Sequence, residues 1–318
     1  MNSRELVYKT VRFESPERMA YDLREQFGSD FFYFGMDPSP EQLLQNGVDT
    51  WGAVWESVGN TKQGEVKDYP IKNWKDFDKL VIPDVNEEYR WKSIQNVRQE
   101  AGDKFLTAFG MTIYMRVTFL RGLENTWTDI YTNRAELEKL IDILTDMNIA
   151  AIRRFSKLGA DGYYFWDDWG FQDRLMISPD LWRQIWKPRY KRIWDAVHEE
   201  GMLSFLHSCG YIVDILDDLI EAGLDVIQMD QQQNMGLEML SERFGGRITF
   251  FCPVDIQNMM VNGSLDDIKA YCHKMAKTLG REKGGFIAKM YGDPVGAGHT
   301  DAAVKAMCEE FLKMAGQM

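Results

Sequence analysis

The stretch Met202-Leu203-Ser204-Phe205-Leu206-His207-Ser208-Cys209-Gly210, with its continuation to Leu224-Asp225-Val226-Ile227-Gln228-Met229-Asp230, decides the fold. An apolar run leads into an amphipathic segment over residues 213–222. Gly223 ends that segment as a helix terminator, and a second apolar run follows. Strand, helix, parallel strand is the βαβ pattern. A strand aims every second side chain the same way, so His207 and Cys209 leave its carboxyl end together. An imidazole beside a thiol makes half of a zinc site, and Asp230, ending the next run, offers an oxygen as a third ligand. Three protein ligands with one open position is the pattern of catalytic rather than structural zinc.

The same alternation extends in both directions. Apolar runs at 105–110, 163–167, 203–207, 225–229, 248–252 and 286–290 are separated by helix-like segments. Residues 133–157 form a long periodic stretch, and Ser178 caps the next helix with Pro179 at its first position. Upstream, 31–36 and 53–57 add two strands, bringing the total to about eight, the number that closes a (β/α)₈ barrel. Residues 64–84 suit a loop or hairpin insertion. The amino end up to Gln26 is expected to be helical and to flank the barrel, giving one α/β domain, a (β/α)₈ TIM barrel, over 1–318. An open doubly wound sheet is the rival architecture. Chemically active residues at the ends of at least four strands favour the barrel, which keeps its sites there.

The bulk properties narrow the function. The net charge of −12 argues against nucleic acid and against anionic membranes as partners. No apolar run approaches the length of a membrane span, and the first residues carry no apolar signal core. The 4 widely spaced cysteines form no disulfide framework, which suits a cytoplasmic protein.

From about Gly110 onward the chain resembles the uroporphyrinogen decarboxylase-like superfamily. The resemblance is carried by Leu120-Arg121-Gly122, Gly159-Ala160-Asp161-Gly162, Asp167-Asp168-Trp169-Gly170, Ile177-Ser178-Pro179, His207-Ser208-Cys209-Gly210 and Pro253-Val254-Asp255-Ile256-Gln257. It implies a (β/α)₈ barrel and one of two activities. True decarboxylases share an Arg-rich run near the amino end; here that region is Ser15-Pro16-Glu17-Arg18-Met19-Ala20. The other branch resembles methylcobamide:thiol methyltransferases and corrinoid-dependent O-demethylase components, whose zinc ligands include His-x-Cys. The segment from His207 to Asp230 is also similar to the zinc segment of cobalamin-independent methionine synthase, with Asp in place of Glu. The last barrel strand lacks the further cysteine that the methyltransferases use there. The third ligand is therefore left open: Cys252, or Asp230 with the substrate completing the shell, or none.

The expected function is zinc-dependent transfer of a methyl group between a protein-bound methyl-corrinoid and a thiol or tetrahydrofolate. The corrinoid protein would be a separate chain, because no Asp-x-His-x-x-Gly motif occurs here. His207, Cys209, Asp230 and Cys252 are the candidate ligands. Asp167 and Asp168 would organise the mouth, by binding a substrate amine or orienting His207; a helix cap or an ion pair with Arg174 or Arg183 is the plainer role. Arg121 would meet an anionic group. Trp166 and Trp169 would wall the mouth, with Tyr291 and His299 in the loop after the last strand. Trp182, Trp186 and Trp194 recur at helical spacing and suit a face packed on the barrel. Cys272 and Cys308 lie on helix-like stretches and suit the core. Two other classes compete: a lyase decarboxylating a non-porphyrin acid, and a barrel that binds a corrinoid or tetrapyrrole without turnover. The family resemblance and an exposed aromatic face are compatible with a homodimer.

Overall fold

The computed structural model describes residues 1–37, 47–58 and 64–316. Ten strands occur among them: β1 (Ala20–Asp22), β2 (Phe31–Phe34), β3 (Val54–Ser57), β4 (Gly64–Asp68), β5 (Phe105–Phe109), β6 (Gly162–Trp166), β7 (Leu203–His207), β8 (Val226–Gln228), β9 (Thr249–Cys252) and β10 (Phe286–Lys289). Eight of them form one parallel sheet in the order β1-β10-β9-β8-β7-β6-β5-β2. The two ends meet where the Asp30 N–H donates to the Tyr21 carbonyl at 2.9 Å. The sheet is thus a nearly closed barrel with helices between its strands, the (β/α)₈ architecture.

Two expectations about the first third need correction. The run at 53–57 is a strand, but β3 pairs antiparallel with β4 in a hairpin outside the barrel. The missing barrel strand is β1, inside the amino end that was expected to be helical. Three residues are too few to show a period, and β1 takes its conformation from parallel pairing with β10. Helix Ser3–Val11 does form ahead of it, started by a capping box between Asn2 and Glu5.

That helix closes the barrel floor. Its Leu6, Val7 and Val11 join the interior cluster of Phe31, Phe105, Phe205, Val226, Phe251 and Ile287. The alternate strand residues, among them Phe34, Leu106, Tyr163, Leu206, Ile227 and Phe250, belong to the larger cluster under the helices. Every barrel strand therefore buries both faces, which is why its sequence is apolar without visible alternation. Ser178 accepts the Leu181 N–H and Pro179 opens helix Pro179–Ile185. Trp182, Trp186 and Trp194 are buried in the helix layer, as their spacing implies.

Candidate metal centre

Alternation along the strands decides which side chains reach the open carboxyl end. In β7, Leu203 and Phe205 face the interior, so His207 does too. In parallel register beside it stand Trp166 of β6 and Gln228 of β8. Asp230 continues the inward series of Val226 and Gln228, and Lys289 ends that of Ile287. Cys252 has the opposite parity. It is fully buried in the cluster under the helices, where burial pushes its thiol far above the usual value. The structure thus places Cys252 away from His207 and Cys209.

The loops after β6 and β7 are locked together by two glycines. Gly210 has φ +75°, and a Cβ on it would lie 2.2 Å from the Gly170 carbonyl oxygen. A Cβ on Gly170 would meet the Tyr211 nitrogen at 2.3 Å. This close approach lets the Gly170 N–H donate to the Cys209 carbonyl at 3.2 Å and the Trp169 N–H to Ser208 Oγ at 3.1 Å. The Cys209 N–H in turn donates to Asp168 Oδ1 at 2.9 Å. Two short motifs, far apart in sequence, are one structural unit.

The result is a cluster of three unlike donors. His207 Nε2 lies 3.2 Å from Cys209 Sγ and 3.4 Å from Asp168 Oδ1. Ligand atoms of Asp168, His207 and Cys209 all fall within 4.8 Å of one another. Asp230 is on the other side of the imidazole ring, with Oδ2 3.9 Å from Nδ1. An ion shared by the imidazole and the Cys209 sulfur would sit at Nε2, the side of the ring that Asp168 faces and Asp230 does not. Burial opposes protonation of His207, but the Cys209 sulfur and the Asp168 carboxylate outweigh it and hold the imidazole pKa well above its ordinary value. For Asp168, burial is likewise outweighed by the His207 hydrogen bond and charge, and the carboxyl pKa is lowered. The Cys209 thiol is raised by burial, partly offset by His207.

The neighbouring Asp167 does a different job. It points outward and is fully buried. Its oxygens accept the N–H groups of Ile113 at 3.1 Å and Met115 at 2.8 Å and the Tyr190 hydroxyl at 2.7 Å. It therefore anchors the start of helix Tyr114–Arg121. Burial pushes its carboxyl up to about 7. Neither aspartate pairs with Arg174 or Arg183 among the described contacts; those arginines meet Asp173, and Asp180 and Asp218.

Several expected mouth residues lie elsewhere. Arg121 is buried against Asp129 at 2.7 Å and donates to the carbonyls of Ile71 and Lys72. Trp169 is buried and stacked on Tyr114, ring centroids 3.9 Å apart, with its N–H on the Tyr190 hydroxyl. His299 is held by the Ile256 carbonyl at 2.9 Å. Tyr291 is half-buried near the cluster, its phenol pushed up to about 12 by burial and by the Asp230 charge. Trp166 keeps its place in the strand-end layer, 6.0 Å from the Phe119 ring. Residues not anticipated from sequence also face the mouth. Tyr33, Phe109 and Tyr164 form a contiguous aromatic floor, with centroids 5.2 Å and 5.8 Å apart along the row. Tyr33 donates to Asp22 at 2.8 Å, and Lys289 pairs with Asp230 at 3.3 Å. Inward parity at strand ends is the signal that would have found them.

A family model described as uroporphyrinogen decarboxylase (URO-D) matches residues 57–311. Among curated proteins, the chain is 24% identical over 235 residues to a uroporphyrinogen decarboxylase of Christiangramia forsetii, covering 70% of this chain and 64% of that protein. It is 25% identical over 229 residues to one of Geobacillus kaustophilus, covering 68% and 62%. It is also 24% identical over 182 residues to the methylcobamide:CoM methyltransferase MtbA of Methanosarcina acetivorans, covering 54% and 52%. The chain thus spans less than two thirds of the length of these curated relatives. Among solved structures, a methyltransferase from Methanosarcina mazei superposes with a TM-score of 0.71 at 17% identity, over 98% of this chain and 99% of that one. That likeness shows a shared fold. No helix among the described residues is long and apolar enough to cross a membrane.

Proposed function

The chain belongs to the uroporphyrinogen decarboxylase family, and within it we propose a zinc-dependent methyltransferase that moves a methyl group between a protein-bound corrinoid and a thiol or tetrahydrofolate. The observation that carries this reading is the convergence of Asp168 Oδ1, His207 Nε2 and Cys209 Sγ within 4.8 Å at the open end of the barrel. One nitrogen, one sulfur and one oxygen donor fit zinc, and three ligands leave a fourth position for substrate. A zinc ion held there would turn a substrate thiol into a bound thiolate, the form that attacks a methyl group.

The chain's own residues prepare that position. Cys209 and Asp168 bring two acidic groups to the ion, so a bound thiolate keeps its electron density. The Gly170–Gly210 contact fixes the distance between the two loops that carry them. The row of Tyr33, Phe109 and Tyr164, with Trp166, offers flat surfaces to a corrinoid or pterin ring. In this proposal the corrinoid arrives on a separate protein.

The decarboxylase reading has the names of most relatives on its side and the chemistry of the mouth against it. A polycarboxylic substrate calls for cations. Here Asp22, Asp168 and Asp230 face the mouth, Lys289 is committed to Asp230, and Arg121 to Asp129. Arg18, in the region where decarboxylases carry arginines, is clamped on Asp30 at 2.9 and 2.5 Å. The test is demethylation of free methylcobalamin with a panel of thiols and with tetrahydrofolate, using protein of known zinc content. Turnover that follows zinc content supports the proposal. Carbon dioxide release from a carboxylic acid by metal-free protein, without methyl transfer, would replace it with the lyase.

A further inference from the structure

We infer that Gln228 is a positioning residue that fixes which nitrogen of His207 faces the metal, leaving Nε2 free as the ligand atom. This inference rests on the zinc reading above. Nothing in the sequence singles Gln228 out, since it sits inside an apolar strand; its role emerges from its three side-chain partners, Asp230, Tyr164 and His207.

The two ends of the Gln228 amide are not interchangeable here. Asp230 Oδ1 receives the Gln228 Nε2 donor at 2.6 Å and the Lys289 ammonium at 3.3 Å. A carboxylate paired with lysine only accepts, so the NH₂ end of the amide has to face it. Oε1 then points the other way, where it meets the Tyr164 hydroxyl at 3.1 Å and His207 Nδ1. Burial holds the Tyr164 phenol protonated, so Tyr164 is a donor to this oxygen. An amide oxygen has two lone pairs and takes both donors. In the zinc-loaded site His207 would therefore keep its proton on Nδ1, while Nε2, which lies beside Cys209 Sγ and Asp168 Oδ1, would give up its own to the ion.

The flipped amide fails on every count. It would set Oε1 against Asp230 Oδ1 at hydrogen-bond distance with no proton between them. It would set an NH₂ group against the Tyr164 hydroxyl and Nδ1, forcing the imidazole proton onto Nε2, into the centre of the donor cluster. The chain Lys289–Asp230–Gln228–His207 thus runs from a cation to a ligand, and each link determines the next. Asp230 acts through Gln228 on the far side of the ring. Such outer partners commonly change metal affinity by about 10–100-fold.

The experiment is zinc competition against a fluorescent chelator for the wild type, Gln228→Met and Gln228→Glu, with a ¹⁵N-histidine spectrum of each zinc-loaded protein. Gln228→Met keeps the side chain's length and removes its hydrogen bonds, and it should bind zinc about 10–100-fold more weakly. Gln228→Glu keeps an oxygen toward Nδ1 and, protonated on its second oxygen, donates to Asp230 as the amide does, and should restore the wild-type affinity. The wild-type spectrum should show the proton on Nδ1 and the metal on Nε2 of His207. Gln228→Met with unchanged affinity, Gln228→Glu as weak as Gln228→Met, or zinc on Nδ1 would each overturn the inference while leaving a zinc protein. A wild type that takes up no zinc overturns the functional proposal and this inference with it. If Gln228→Met does not fold, the wild-type spectrum and Gln228→Glu still decide.

Discussion

Strand β6 has Asp161 before its first residue and Asp167 and Asp168 after its last, and Asp161 and Asp168 could hardly be treated more differently. Asp161, at the floor, is fully buried and fully matched. Arg4 reaches it at 2.6 Å, Arg98 at 2.8 Å, the Leu106 N–H at 2.9 Å and the Tyr8 hydroxyl at 3.3 Å. Asp168, at the mouth, meets one backbone N–H and one imidazole, beside a thiol and within a rim that carries further carboxylates. The floor is finished by the protein itself. The mouth gathers negative groups with few cations among them, an arrangement that favours a divalent ion. Barrels divide labour this way, stability at one end and chemistry at the other.

The largest expected effects come from exchanging the fates of these two residues. Asp161→Ala leaves two guanidinium groups and a buried N–H without their shared partner and should destabilise the fold by about 3 kcal/mol. Zinc affinity of the folded fraction should be unchanged. Asp168→Ala should do the reverse, weakening zinc binding by more than about 100-fold, beyond the range of outer partners. Its unfolding free energy should stay within about 1 kcal/mol of the wild type. Chelator competition and urea unfolding read both. Loss of zinc binding in Asp161→Ala, or its retention in Asp168→Ala, would erase the distinction.

A smaller effect separates Asp167 from its neighbour. Its carboxyl is raised to about 7 by burial, so between pH 4 and pH 7 the folded state binds more protons there than the unfolded chain. This group's contribution to stability is therefore full at acid pH and falls as pH rises to about 7. Asp167→Asn should cost about 2 kcal/mol near pH 4.5, because both carboxyl oxygens take donors and the amide has only one oxygen to offer them. The deficit should shrink by pH 7.5, with zinc affinity unaffected. A deficit that grows with pH would contradict the assignment.

The smallest effect concerns Cys252. Cys252→Ala should cost about 1 kcal/mol in packing and leave zinc affinity unaltered, because parity turns this side chain toward the helices.

These residues also show what could be read from sequence. The adjacency of His207 and Cys209 was legible because an apolar run ends abruptly in two polar side chains at the right spacing. The barrel was legible from the repeated alternation of runs and amphipathic segments, and Ser178 and Pro179 from capping chemistry. Cys252 misled because Thr249-Phe250-Phe251-Cys252 is buried on both faces, so its sequence carries no inward and outward pattern. Sequence could not rank Asp230 against Asp168, because only the ring's orientation shows that Asp230 lies by Nδ1 and Asp168 by Nε2. Strand β1 was hidden by its length, and Arg121 by a partner, Asp129, that no motif announces. The choice between Asp167 and Asp168 again turned on parity, one inward and one outward.

The most direct test of the central claim is cobalt substitution monitored by absorption. Wild-type protein loaded with Co²⁺ should show intense tetrahedral bands in the visible and a sulfur-to-cobalt charge-transfer band in the near ultraviolet. Cys209→Ser should lose the charge-transfer band, Asp168→Ala and His207→Ala should lose stable binding, and Cys252→Ser should match the wild type. A wild type without these bands, or bands that survive in Cys209→Ser and vanish in Cys252→Ser, would contradict a metal centre built from Asp168, His207 and Cys209.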